Sequence, residues 1–148
     1  MLVTSSTNSE NWIEALGIKR SKIPVLIIGN NPLEMTSIYN ILSGIRSKNY
    51  LADFCFSVKD SIERITKTKP EVIFVDDNLR RDDIQKLIRV LKQNVKTRAI
   101  KILALKSSNW SLPFIEYVDD YILKDTLRAD VLDKIITKNL QPVEPQLV

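Results

Sequence analysis

Pro70-Glu71-Val72-Ile73-Phe74-Val75-Asp76-Asp77 is the stretch from which the fold can be read. A proline ends the segment before it, four apolar residues follow without a polar break, and two acids close the run. A short apolar run rich in β-branched and aromatic residues marks a strand covered on both faces. Pro24-Val25-Leu26-Ile27-Ile28 has the same character and ends in Gly29-Asn30-Asn31-Pro32. Ile100-Lys101-Ile102-Leu103-Ala104-Leu105 reads as a further strand, residues 52–58 as another, and Tyr121-Ile122-Leu123 as a brief fifth. Helical spacing fills the intervals. Ile38, Ile41, Leu42 and Ile45 lie at i, i+3, i+4, i+7, with Pro32 suited to the first helical position. Residues 60–67 predict a short helix with Ile62 and Ile65 inward. Ile84, Leu87, Ile88 and Leu91 mark a third helix, and Val131, Leu132, Ile135 and Ile136 the last.

Strands alternating with helices predict an α/β fold, a parallel sheet with right-handed crossovers and helices on both faces. Five such units suggest the flavodoxin-like, doubly wound order 2-1-3-4-5 in three α/β/α layers. Its ligand crevice lies at the carboxyl ends of strands one and three, where the winding reverses. The expected domain covers residues 23–140. Residues 1–22 read as an extension in which Asn11 caps a short helix ended by Gly17, and residues 141–148, with two prolines, as a tail.

The chain has 148 residues, enough for one self-sufficient core. Its single cysteine, Cys55, forms no internal disulfide and reads as a buried small hydrophobe. The absence of histidine excludes His-based acid/base catalysis, His metal sites and a histidine phosphodonor. Three glycines are too few for a glycine-rich phosphate cradle. The sequence offers no apolar run of membrane-spanning length and no signal peptide, so a cytoplasmic location is expected. The formal charge of +4 reads as mild and spread along the chain, which is weak support for nucleic-acid binding.

The residues expected at the crevice are Gly29, Asn30 and Asn31 after strand one, and Asp76, Asp77 and Asn78 after strand three. Lys106, Ser107 and Ser108 follow strand four, and Lys124 and Asp125 strand five. A carboxylate flanked by ammonium groups recurs, and Lys124 is expected to hold Asp76 ionised by lowering its pKa. An exposed aspartate there can attack phosphorus, a cation stabilising the developing charge. Position alone equally supports Asp76 as a turn cap and Tyr121 as a rim aromatic, and leaves room for Lys124 as a solvated strand-end charge. A flavodoxin-type enzyme is disfavoured, because Gly29-Asn30-Asn31-Pro32 offers few backbone donors and no hydroxyl.

Val25-Leu26-Ile27-Ile28 with Pro32, Pro70-Glu71-Val72-Ile73-Phe74-Val75-Asp76, and Asp119-Asp120-Tyr121-Ile122-Leu123-Lys124 resemble the response-regulator receiver domain of bacterial two-component signalling. The likeness spans about residues 23–140. It implies that Asp76 is the phosphoacceptor position, that Lys124 holds phosphoryl oxygens, and that Tyr121 is the aromatic whose rotamer reports the state. The family's acidic pair after strand one, which helps hold magnesium, is replaced by Gly29 and Asn30. Amide oxygens carry no net charge, so little pull on a divalent cation is expected. Asp77 is a poor substitute because consecutive strand residues point to opposite faces. The family's hydroxyl position after strand four falls on Lys106, with Ser107 one place later, and the residue after Lys124 is Asp125 where proline is usual. The interval from Lys106 to Lys124, 18 positions with Pro113 inside it, predicts a short or irregular helix there.

These departures imply a degenerate receiver, a pseudo-receiver in the phosphorelay. Lys106 and Lys124 are expected to clamp Asp76, no metal or cofactor is expected, and the domain acts through protein contacts rather than as an enzyme. Expected partners are a histidine kinase or a downstream output protein, with homodimerisation a further mode. Two alternatives stay open: a receiver phosphorylated on Asp76 with magnesium, and the regulatory part of a DNA-binding regulator. No recognition helix follows Leu140, so specific nucleic-acid binding by this chain alone is not expected, nor is membrane association.

Overall fold

The computed structural model describes residues 21–107 and 117–141. The expected helix near residues 11–17, the segment around Pro113 and the tail past Gln141 lie outside the described residues. Strands β1 (Lys22–Ile28), β2 (Asn49–Cys55), β3 (Val72–Asp76), β4 (Lys101–Lys106) and β5 (Asp120–Leu123) form one parallel sheet ordered β2-β1-β3-β4-β5. Four α-helices are described, α1 (Pro32–Ser43), α2 (Val58–Thr68), α3 (Arg81–Gln93) and α4 (Ala129–Leu140), and a 3-10 turn, Lys124–Thr126, follows β5. The doubly wound α/β class and the strand order are as expected.

The pleat divides the core in two. Val25, Ile27, Val72, Phe74, Leu103, Leu105 and Ile122 meet Met35, Ile38 and Leu42 of α1 and Leu132 and Ile136 of α4. Leu26, Ile28, Ile73, Val75, Ile102 and Ala104 meet Ile65 of α2 and the Ile84, Leu87, Ile88, Leu91 stripe of α3. Each buried Ile, Leu or Phe contributes roughly 1.5–3 kcal/mol by leaving water. The same alternation assigns each strand-end residue to a face. Asp76 continues the parity of Phe74, and Lys124 that of Ile122, so both belong to the α1/α4 face. Asp77 and Lys106 belong to the other face.

Local chemistry fixes the helix starts. Asn31 caps α1, its side chain accepting from the N–H groups of Leu33 and Glu34 at 3.1 and 3.3 Å, with Pro32 in the first turn. Ser57 caps α2 by accepting from the Asp60 N–H at 3.2 Å. This cap corrects the sequence reading, because β2 runs from Asn49 to Cys55 and Val58 opens the helix rather than closing a strand. Ile62 is exposed, and Ser61 and Ile65 form the inward pair. On α4, Val131 and Ile135 are half-buried while Leu132 and Ile136 are fully covered.

The start of β2 is tied to α4 by Tyr50, whose hydroxyl donates to Asp133 Oδ1 at 2.6 Å. Lys48 pairs with the same carboxylate oxygen at 3.2 Å. Burial, then the Asp133 acceptor and its charge, raise the Tyr50 phenol above its ordinary 10.0. A raised pKa means that this stabilisation is fully present below pH 10 and is lost as pH climbs through the folded-state value. Tyr50→Phe should therefore cost about 1 kcal/mol in urea unfolding at neutral pH. The gap to the parent should close as pH rises through the alkaline range, and a gap independent of pH would show that the phenol does not carry it.

Candidate functional site

Asp76, at the end of the central strand β3, is 2% exposed. Its Oδ1 lies 2.8 Å from Lys124 Nζ and accepts the Asn78 backbone N–H at 2.9 Å. Lys124, with its side chain 13% exposed, also donates to Glu34 Oε2 at 2.9 Å. One ammonium group thus bridges a carboxylate of β3 and one of α1. Glu34 stands three residues after the Asn31 cap, so the capping geometry that starts α1 also aims this side chain over the sheet edge.

Burial pushes the Asp76 carboxyl above its usual range. Lys124 and the Asn78 N–H pull it back and the charge of Glu34 adds to the rise, so the net direction is upward. Lys124 does lower the Asp76 pKa as expected, but the net direction is corrected: loss of water outweighs a single ammonium group that is already shared. Burial also opposes the charge on Lys124, but hydrogen bonds to Asp76 and Glu34 outweigh it and raise its pKa. The two directions differ in kind. Lys124 gains two carboxylates for one desolvation, whereas Asp76 has half a cation and one amide against its own.

Lys106 is the second correction. It forms no ion pair with Asp76 among the described residues; its Nζ lies 5.3 Å from the Tyr121 ring centroid, a cation–π contact on the opposite face of the sheet edge. Tyr121 packs against the α2/α3 core, in line with its strand parity. Ser107 does not reach Asp76 either. Its hydroxyl donates to Asp77 Oδ1 at 2.8 Å and its backbone N–H to Asp77 Oδ2 at 3.0 Å. The Asp77 N–H returns a bond to the Leu105 carbonyl at 3.0 Å. Asp77 therefore staples the end of β4 to the end of β3.

Gly29 is buried and Asn30 exposed at the end of β1. A Cβ on Gly29 would lie 3.3 Å from Asp76 Cβ and 3.3 Å from Met35 Sδ, so the position adjoins the acid directly. Of the residues expected at the crevice, the fold brings Asp76, Lys124 and Gly29 together. It places Lys106 and Tyr121 as a separate pair, and Ser107 with Asp77. Glu34 is the member that the sequence reading missed, although Asn31-x-x-Glu34 is a recognisable helix-start pattern.

No family model and no curated protein matches the chain. Solved structures do. The chemotaxis response regulator CheY4 of Vibrio cholerae matches with a TM-score of 0.66 at 13% identity, over 81% of this chain and 100% of that one. A CheY-like response regulator receiver domain from Methylobacillus flagellatus matches with a TM-score of 0.67 at 19% identity, over 80% and 99%. The receiver domain of a sensor histidine kinase from Pseudomonas aeruginosa, with a magnesium ion coordinated in its active site cleft, gives 0.67 at 19%, over 80% and 97%. At these identities the likeness carries the architecture, and the chain has the CheY-like receiver-domain fold.

Proposed function

We propose that this chain is a receiver-like module of two-component signalling that works by protein contact, with Asp76 in the phosphoacceptor position and no phosphoryl transfer to it. The observation that carries this reading is Lys124 bridging Asp76 at 2.8 Å and Glu34 at 2.9 Å. In a phosphorylatable site the lysine must be available to an incoming phosphoryl oxygen, and a metal must neutralise the charge in transit. Here Glu34 takes the place of that oxygen at Lys124. A magnesium ion does not suit the residues present. Gly29 offers no side-chain oxygen, Asn30 offers a neutral one, and the two carboxylates nearby already share a cation.

Asp77 and Ser107 add a second restraint, since the β4 end that must move to greet a phosphoryl group is held by a carboxylate. The module is thus read as non-enzymatic and held in one conformation. Its partner is a histidine kinase or an output protein that recognises its surface. No described helix is long and apolar enough to cross a membrane.

Incubation with acetyl phosphate and magnesium, followed by intact-mass measurement, tests the reading. The expected result is no aspartyl phosphate on Asp76. A stoichiometric adduct, absent in Asp76→Asn, would establish the phosphorylatable alternative.

A further inference from the structure

The positive charge of the chain is concentrated, which corrects the reading of it as spread. Residues 80–98 hold seven of the 22 basic residues and two of the 18 acidic ones. That segment carries a formal +5 and the rest of the chain a formal −1, so the net positive charge of the chain is carried by α3 and the residues that flank it.

The inner stripe of α3 is buried on the sheet, which turns Lys86, Arg89, Val90 and Gln93 outward. Among the described residues neither Lys86 nor Arg89 has an ion-pair partner. Lys92 is engaged elsewhere, donating to the Arg98 and Ile100 carbonyls and pairing with Asp119. Val90 is 46% and Val95 73% exposed within this basic surround. A concavity of about 410 Å³ opens beside it, lined by Arg80, Arg81, Lys86 and Arg89 and, at its amino-terminal side, by Asp82 and Asp83, so the basic residues outnumber the acidic ones there by four to two.

We propose that this face of α3 is the docking surface for an acidic segment of a protein partner, one that sets an apolar side chain on Val90 and carboxylates on Lys86 and Arg89. The proposal rests on the reading of the domain as a protein-contact module and names where the contact is made. An apolar centre rimmed by charges is the anatomy of a protein interface. Nucleic acid fits less well: it has no aliphatic side chain to set on Val90, and residues 80–98 contain no aromatic ring on which a base could stack.

Fluorescence anisotropy with a labelled peptide of Glu and Leu at helical spacing tests this, alongside an all-Glu peptide and a labelled DNA duplex. The Glu/Leu peptide is expected to bind saturably and to weaken about tenfold or more in Lys86→Glu/Arg89→Glu. Val90→Ser should weaken it a few-fold and leave the all-Glu peptide unchanged. The charge-matched control Lys22→Glu/Lys134→Glu, away from this face, should bind as the parent does. All substituted side chains are exposed, and thermal melts report whether each variant is folded. The proposal is overturned if the parent shows no saturable binding, if both charge variants behave alike, or if the duplex binds more tightly than either peptide. None of these readouts depends on whether Asp76 takes phosphate, so the intact-mass result stands apart from them.

Discussion

Lys124→Met should destabilise the domain by about 3–5 kcal/mol at neutral pH, the cost of leaving a buried charge without its partner. That is a third or more of the roughly 5–15 kcal/mol that a domain has in total. The reason lies in the geometry: Asp76 is almost fully covered, and without the ammonium group the Asn78 N–H is, among the described residues, the one donor that still faces its Oδ1. The loss should depend on pH in a stated direction. Burial already raises the Asp76 pKa from its ordinary 3.8, and removing Lys124 removes the main opposing pull. Between 3.8 and the raised value the folded variant binds more protons than its unfolded chain, so its stability falls as pH rises. The penalty is therefore largest near pH 7 and shrinks toward acid, where protonated Asp76 needs no cation. In the parent the Lys124 ammonium, its pKa raised, stays charged throughout that window and is lost only in strong alkali, while Asp76, raised less because Lys124 opposes the rise, titrates in the lower part of the same window.

Urea unfolding of the parent and of Lys124→Met at pH 5 and 7.5 measures both effects. Asp76→Asn in the Lys124→Met background should restore much of the loss, a coupling of about 2–3 kcal/mol in the double-mutant cycle. A loss below about 1 kcal/mol, equal at both pH values, would mean that Asp76 and Lys124 are not the buried pair described.

The fold was legible because its central strands are covered on both faces, which leaves unbroken apolar runs such as Val72-Ile73-Phe74-Val75. The edge strand β2 was displaced by three residues. It opens on polar Asn49, and the capping bond of Ser57 turns Phe56-Ser57-Val58, strand-like in composition, into the start of a helix. Phe56 instead stacks edge-on against Phe54, with ring centroids 5.4 Å apart.

At the site, Asp76 and Lys124 were legible from topology, since both stand at strand ends beside the reversal of winding. Lys106 was not placed correctly because the pleat rule, applied to Asp77, applies equally to Lys106 and sends it to the same face. Glu34 escaped notice for a different reason. Topology points to the residues directly after β1, whereas Glu34 reaches the crevice from the first turn of α1. Its position is set by a cap bond at Asn31 that composition alone does not reveal.

Gly29→Asp with Asn30→Asp should convert the site into one that binds magnesium. The Gly29 position adjoins Asp76, and of the atoms a new Cβ would meet, those of Met35 belong to a flexible side chain that can shift by a few tenths of an ångström. A carboxylate there would be the third around the single Lys124 ammonium group, with a fourth just outside it at residue 30. Like charges gathered in a covered groove repel, so the metal-free variant is expected to lose about 2–3 kcal/mol relative to the parent. The same repulsion creates the affinity, because hard oxygen ligands with an excess of negative charge are what magnesium takes up. At ten times its Kd the ion should return about 1.4 kcal/mol to the variant through linkage. The parent, whose Asp76 and Glu34 share Lys124, should show no such rise. Urea midpoints with and without magnesium separate the outcomes. A parent stabilised by magnesium as strongly as the variant would mean that Gly29 and Asn30 are not what keeps the ion out, and the account of a site closed by Lys124 and Glu34 would fall with it.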